Sequence, residues 1–202
     1  VVFAQSPGSV GADPVVIRVT NVQPNRFTIY LAEPSNLNGL HNTGEPVSYV
    51  VLEAGSHYLI DGTRLEVGMV ETAATVGKIV TNQWEEVSFS NSFPDTPVIL
   101  TQIQTTDPAG QDYLQTRQLA ANNDGFHIAL EQEEIQSSQH MVPETIGYLA
   151  MEESGGQWGS LAYEIAQTPI AITDQWTEQS FETAFDSSPA LLSSLSTYFG
   201  GD

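Results

Sequence analysis

The sequence predicts an all-β protein built from antiparallel β-sandwich repeats, on three observations: apolar residues alternate in short runs, turn-forming residues separate the runs, and the pattern occurs twice. Val15, Ile17 and Val19 alternate with Val16, Arg18 and Thr20, and Phe27, Ile29 and Leu31 alternate with Thr28 and Tyr30. A period of two turns one face of a strand toward a core and the other outward. Phe126, Ile128 and Leu130 repeat the second run. Between the runs lie Gln23-Pro24-Asn25 and Asn122-Asn123-Asp124-Gly125. Such residues suit tight turns, because Asn, Asp and Gly tolerate positive φ, so each copy is expected to hold a hairpin. Further strands are expected at 47–53, 86–90, 97–104 and 146–152. No window sustains a helical period, and only 184–199 is ambiguous. Many short strands with one apolar face each point to an antiparallel sandwich.

Two series of coincidences define the repetition. Arg18/Arg117, Phe27/Phe126, Leu31/Leu130, His41/His140, Glu45/Glu144, Tyr49/Tyr148 and Glu53/Glu152 are each 99 residues apart. The set Trp84, Phe89, Phe93 and Pro97 returns 92 residues later as Trp176, Phe181, Phe185 and Pro189. A repeat of that length is a folding unit rather than a solenoid rung. Residues 81–172 hold both series and read as a complete β-sandwich repeat, with the Trp-Phe-Phe-Pro segment first. Residues 1–70 then read as a repeat lacking that opening segment. Residues 173–202 read as the opening segment of a further repeat, able to complete the 1–70 unit in the same or a neighbouring chain. Residues 54–80 and 153–172 read as junctions. Extra strands at Tyr58-Leu59-Ile60 and Leu161-Ala162-Tyr163 would make neighbouring units pack rather than swing.

Twenty-five acidic residues against five basic ones give a formal charge of −20. That charge repels phosphate backbones and anionic membranes, so nucleic acid is not an expected partner. It suits solubility in salty or extracellular surroundings, or carboxylate-rich calcium binding. The chain has no cysteine, so disulfides, thiolate chemistry and cysteine zinc sites are unavailable. No stretch approaches the roughly 20 apolar residues of a membrane helix, and membrane insertion is not expected. The opening VVFAQSPGSV has neither an initiator methionine nor a signal-peptide pattern, so the chain reads as a mature product or an excised fragment.

The complete copy carries QWEEVSFSNSFPDTPVILTQIQT, LQTRQLAANNDGFHIALEQEE and ETIGYLAMEE in that order. This succession resembles the H-type lectin domain, the family of invertebrate agglutinins for N-acetylgalactosamine. The shared pattern is an aromatic strand, a Phe shortly before a Pro-led apolar strand, an Arg-bearing strand, a turn ending in Gly-Phe, and a final strand ending in x-Glu. The resemblance implies a small antiparallel sandwich that assembles into trimers. It also implies a sugar contact at Arg117 and Arg18, on the strand before the turn. The aromatic and histidine residues that follow in the agglutinins are replaced here by Glu131-Gln132-Glu133-Glu134 and by Ala32-Glu33-Pro34.

Glu131, Glu133 and Glu134 stand at and beyond a strand end, where carboxylates can converge on a hard cation, and calcium is the ion that such oxygen ligands suit. His140 and Glu144 follow, matched by His41 and Glu45 after Glu33. A histidine suits zinc or a sugar hydroxyl better than calcium. Alternatively, His-x3-Glu fixes the loop by a hydrogen bond. Arg18 and Arg117, among so many acids, are expected to pair with carboxylates, Glu45 and Glu144 or Glu53 and Glu152, or to meet a ligand hydroxyl. Trp84 and Trp176 suit either a core anchor or a sugar face. No Gly-x-Ser-x-Gly elbow, His-Glu-x-x-His motif or phosphate loop is present, and catalysis is not expected.

The expected function is that of an extracellular structural or adhesive tandem-repeat protein forming a filament, sheath or surface stalk by head-to-tail strand complementation, with other copies of itself as partners. The alternative is a carbohydrate-binding, lectin-like module, calcium-assisted, that meets cell-surface or extracellular glycans. In that reading Arg18, Arg117, His41, His140, Glu45 and Glu144 touch the ligand, and Glu131, Glu133 and Glu134 hold the metal.

Overall fold

The computed structural model describes residues 1–5, 11, 13–37, 41, 43–78, 80–107, 113–136 and 142–198. Its strands are β1 (Val2–Gln5), β2 (Val16–Gln23), β3 (Arg26–Ala32), β4 (Ser48–Val51), β5 (Gly55–Tyr58), β6 (Arg64–Thr72), β7 (Thr75–Val76), β8 (Glu85–Ser88), β9 (Val98–Ile103), β10 (Leu114–Leu119), β11 (Gly125–Gln132), β12 (Glu144–Met151), β13 (Ser154–Trp158) and β14 (Leu161–Ile165). Among the described residues a single 3-10 turn covers Glu134–Gln136. The fold class is all-β and the pairing is antiparallel, apart from a two-residue parallel contact of β7 with β11. The ambiguous segment 184–198 is neither helix nor strand.

Two sheets make the central sandwich. One runs β5-β6-β12-β9; in the other β11 pairs with β10 on one side and with β8 and β7 on the other. Alternation explains how they face each other. Phe126, Ile128 and Leu130 of β11 and Ile146, Tyr148 and Ala150 of β12 all turn inward, to meet Val87, Phe89, Phe93, Ile99, Ile103 and Leu114. Burying an aliphatic or Phe side chain contributes about 1.5–3 kcal/mol, so this set dominates the stability. At the hairpin tip the Asn122 side-chain oxygen accepts the N–H groups of Asp124 and Gly125, at 2.7 and 3.2 Å.

The first copy repeats part of this arrangement. The β2–β3 hairpin stands where β10–β11 does, and β1 pairs with β4 (Val2↔Val51) as β9 pairs with β12 (Ile99↔Ala150). Asn21 and Ala120, 99 residues apart, both adopt the left-handed backbone, at φ 51° and 54°. The repeat boundaries nevertheless do not coincide with sheet boundaries. β6, from the stretch counted with residues 1–70, pairs along its length with β12 of the second copy, from Glu144↔Thr72 to Met151↔Leu65. The segment 54–80 thus supplies three strands to the sandwich. Of the two extra strands expected at the junctions, one falls within β14, while Leu59 and Ile60 sit in the turn after β5. The outer face of the β6–β12 sheet is covered by Phe3, Leu59, Val1 and Leu52 from the first copy and by Tyr163 and Leu192 from the C-terminal stretch.

Candidate functional site: an assembly interface

The residues singled out from the sequence occupy different places. Arg18 on β2 and Glu144 on β12 are 0% and 2% exposed and form an ion pair at 2.9 Å. The same Arg18 nitrogen donates to the Thr105 carbonyl at 2.9 Å, and Thr105 Oγ1 donates to the other Glu144 oxygen. This pair joins the two copies, since Arg18 belongs to the first and Glu144 to the second. Arg117 instead pairs with Glu131 on the neighbouring strand, nearer the surface. His41 is buried between Glu33 and Glu45, each ring nitrogen 3.2 Å from a carboxylate oxygen. In a neutral ring one of these nitrogens donates, and both donate only in the imidazolium form. Glu45 also accepts the Gly11 N–H at 2.9 Å. His140 lies outside the described residues.

The three carboxylates assigned to a metal do not converge. Glu131 faces Arg117, Glu133 accepts the Ser35 N–H at 2.8 Å, and Glu134 lies 4.0 Å from Lys78. The physical reason is local: β11 ends at Gln132 and the chain bends into the 3-10 turn, which carries Glu133 and Glu134 off the strand. Among the described residues no three His, Asp or Glu side chains form a metal-like group. Trp84 is half-buried, edge-on to Tyr198 at 5.5 Å, and Trp176 is fully exposed. Neither is part of the core cluster; Phe89 and Phe93 hold the positions expected of an anchor.

The sequence reading did not single out Arg64 and Glu66, which clasp the opening segment of the second copy from β6. Glu66 accepts the Ser90 N–H at 3.0 Å, the Ser90 hydroxyl at 2.6 Å, the Tyr148 hydroxyl at 3.0 Å and Arg64 Nη2 at 3.2 Å. Arg64 donates to the carbonyls of Ser92 and Asn91 at 2.7 and 2.8 Å, and its guanidinium lies 4.0 Å over the Phe93 ring. A buried ion pair with this many satisfied donors positions its partners firmly, because desolvation of both charges is compensated. Burial, then the Glu66 charge and hydrogen bond, push the Tyr148 hydroxyl up to about 12. One signal pointed to Arg64: it is among only five basic residues.

With the clasp in place, Phe89 and Phe93 fill the space between β11 and β12. Their rings meet edge-on at 5.0 Å, and Phe126 meets Tyr148 edge-on at 5.5 Å. The Phe89 and Phe93 N–H groups donate to the Asp124 and Asn123 carbonyls of the hairpin turn, at 2.9 and 2.8 Å. The described residues of the first copy repeat the walls of this space. A cavity of about 420 Å³ lies between the β2–β3 turn and β4, lined by Val2, Pro24, Asn25, Phe27, Tyr49 and Val51 among others. Phe27 and Tyr49 meet edge-on at 5.1 Å, as their counterparts do. Among the described residues β4 pairs with β1 alone, and Tyr49 and Val51 are 57% and 54% exposed.

No protein-family model matches the chain, and no solved structure matches it. No helix among the described residues is long and apolar enough to cross a membrane. Over 150 residues, 72% of this chain, the sequence is 29% identical to Halomucin of Haloquadratum walsbyi, and the matched stretch spans 2% of that far longer protein.

Proposed function

We propose that the chain is part of an extracellular structural protein whose sandwich repeats pack in series, as a filament, sheath or surface stalk. The observation that carries this reading is the eight-residue pairing of β6 from one copy with β12 of the next. Strand sharing of this kind makes adjacent repeats one mechanical body rather than beads on a linker. The buried Arg18–Glu144 pair and the shared outer-face cluster act in the same sense. Similarity to a much longer protein with a mucin's name supports placement outside the cell, and the charge of −20 suits a salty exterior. The test is molar mass against concentration by light scattering, with calcium and with chelator, followed by electron microscopy. Open-ended growth is expected, and a compact particle of fixed small mass at every concentration would count against the reading.

A second reading is a carbohydrate-binding module of the H-type lectin kind. What favours it is Arg117 beside Glu131 near the surface, 20% and 15% exposed, where donors and acceptors for sugar hydroxyls stand together. A broad glycan array probed with and without calcium tests it, and an array without a hit removes it.

A further inference from the structure

We propose that the β6–β12 ladder is a force-gated release: tension along the chain opens it from the Leu65–Met151 end, with the Arg64–Glu66 clasp as the gate, and frees the segment between those residues as extra length. The inference rests on the series packing proposed above and gives that packing a mechanical property. It concerns the complete second copy and the strand that joins it to the first.

Register dictates the geometry. β6 and β12 are antiparallel, with Leu65 opposite Met151 at one end and Thr72 opposite Glu144 at the other. A load carried along the backbone enters at the start of β6 and leaves at the end of β12, and those two points are neighbours. Facing residues on antiparallel strands have Cα atoms about 4.5–5.5 Å apart. Tension therefore bypasses the sandwich and bears on the first pair of the ladder. Strands pulled apart from one end lose their hydrogen bonds one after another, whereas strands pulled from opposite ends share the load among all of them. β5 leaves this unchanged, because its pairs with β6 run from Gly55↔Val67 to Tyr58↔Arg64, and opening them in that order delivers the load to Arg64.

A buried ion pair stands at each end of this ladder, and the load meets them in turn. At the loaded end the Arg64 carbonyl accepts the Glu152 N–H at 3.1 Å, and the Arg64 N–H donates to the Glu152 carboxylate at 3.0 Å. The Arg64 guanidinium holds the Asn91 and Ser92 carbonyls. Glu66, one pair further in and opposite Ala150, holds Ser90 and the Tyr148 hydroxyl. The first two pairs part only when these contacts do. At the far end Glu144 holds Arg18, and the load reaches that pair only after the ladder has opened. Forced opening is governed by the barrier to opening rather than by equilibrium stability. The clasp therefore sets the rate, and the Arg18–Glu144 pair breaks too late to affect it. Met151 lies 86 positions after Leu65, so one release lengthens the chain by roughly 28–31 nm. A row of such units gives way one at a time, which makes a stalk extensible rather than brittle.

The chain has no cysteine, so Ile60→Cys and Glu153→Cys, both at exposed positions, place two handles on the full chain for single-molecule pulling at constant force. The parent is expected to lengthen in a step of roughly 28–31 nm. Glu66→Gln, or the milder Ser90→Ala, is expected to raise the opening rate about tenfold or more. Arg18→Met, despite its cost in urea, is expected to leave that rate within about twofold of the parent. Moving the first handle to Lys78→Cys, beyond the far end of β6, loads β12 lengthwise, and opening at the same force is expected to slow about tenfold or more. An Arg18→Met effect as large as that of Glu66→Gln overturns opening from one end. So do handles at 78 and 153 that open as readily as those at 60 and 153. Equal rates for the parent, Glu66→Gln and Ser90→Ala overturn the clasp as the gate. Light scattering on the unmodified chain decides series packing separately, so that reading stands or falls without reference to these rates.

Discussion

Arg18→Met tests whether the two copies are bound into one folding unit. The substitution keeps the apolar stem and removes a charge that is fully buried against a carboxylate 2% exposed. Breaking one side of a buried pair typically costs about 3–5 kcal/mol, mostly from the charge left behind. Glu144 retains the Thr105 hydroxyl, which places the expected loss near the lower end, about 3 kcal/mol. Adding Glu144→Gln removes the stranded charge and keeps an acceptor for Thr105. The double variant is therefore expected to lie within about 1–2 kcal/mol of the parent, a coupling of at least about 1–2 kcal/mol in a double-mutant cycle, to which the cost of Glu144→Gln alone adds. Urea unfolding followed by far-UV circular dichroism reads both numbers. Because the pair spans the copies, the single variant should also broaden the transition or split it in two. A loss below about 1 kcal/mol, or strictly additive single effects, would refute the argument that this contact locks the junction.

Other outcomes follow from the same geometry. Phe93→Ala empties a core position that Arg64 also covers, and a loss of about 3–5 kcal/mol is expected in thermal unfolding. Phe181→Ala, at the matching but exposed position, should cost under about 1 kcal/mol in dilute, unassociated chain. The Tyr148 hydroxyl, raised to about 12 by burial and by Glu66, favours its protonated form in the fold. Its stabilising share is whole below about pH 10, the unfolded value, and is lost as pH rises toward 12. Denaturant midpoints measured across that window should fall more steeply for the parent than for Tyr148→Phe. Gly68→Val should cost at least about 1–3 kcal/mol, since its Cβ would enter the Tyr148 ring. A denaturant midpoint equal to the parent's would contradict the close approach.

Much of the fold was legible in the residues because alternation and turn chemistry agreed. The hairpins β2–β3 and β10–β11 and the strand β12 stand within a few residues of where the runs ending at Leu31, Leu130 and Glu152 placed them. β6 was not legible, although it has nine residues. Its first four side chains, Arg64, Leu65, Glu66 and Val67, are all buried, so charged residues occupy positions where a period-two reading looks for apolar ones. The partner of Arg18 shows a second limit. A carboxylate was expected and Glu144 was among those named, yet nothing in the repeat spacing says that the pair crosses from one copy to the next. His41 and Glu45 form the loop contact that their spacing allowed. Glu131, Glu133 and Glu134 part because a strand end and a turn intervene, and residue spacing alone does not show where a strand stops.

The lending of β6 to the following repeat also has a consequence in time. During synthesis β6 is complete at Thr72, whereas the strand that it pairs with ends at Met151. At about 5–20 residues per second, the nascent chain waits roughly 4–16 s between the two. Until the last residues of that interval are made, Leu65 and Val67 lack Leu149 and Glu66 lacks the Tyr148 hydroxyl. The first copy is therefore finished only by the arrival of the second. In the proposed series of repeats the chain would mature in one direction, with a single unfinished edge following the ribosome.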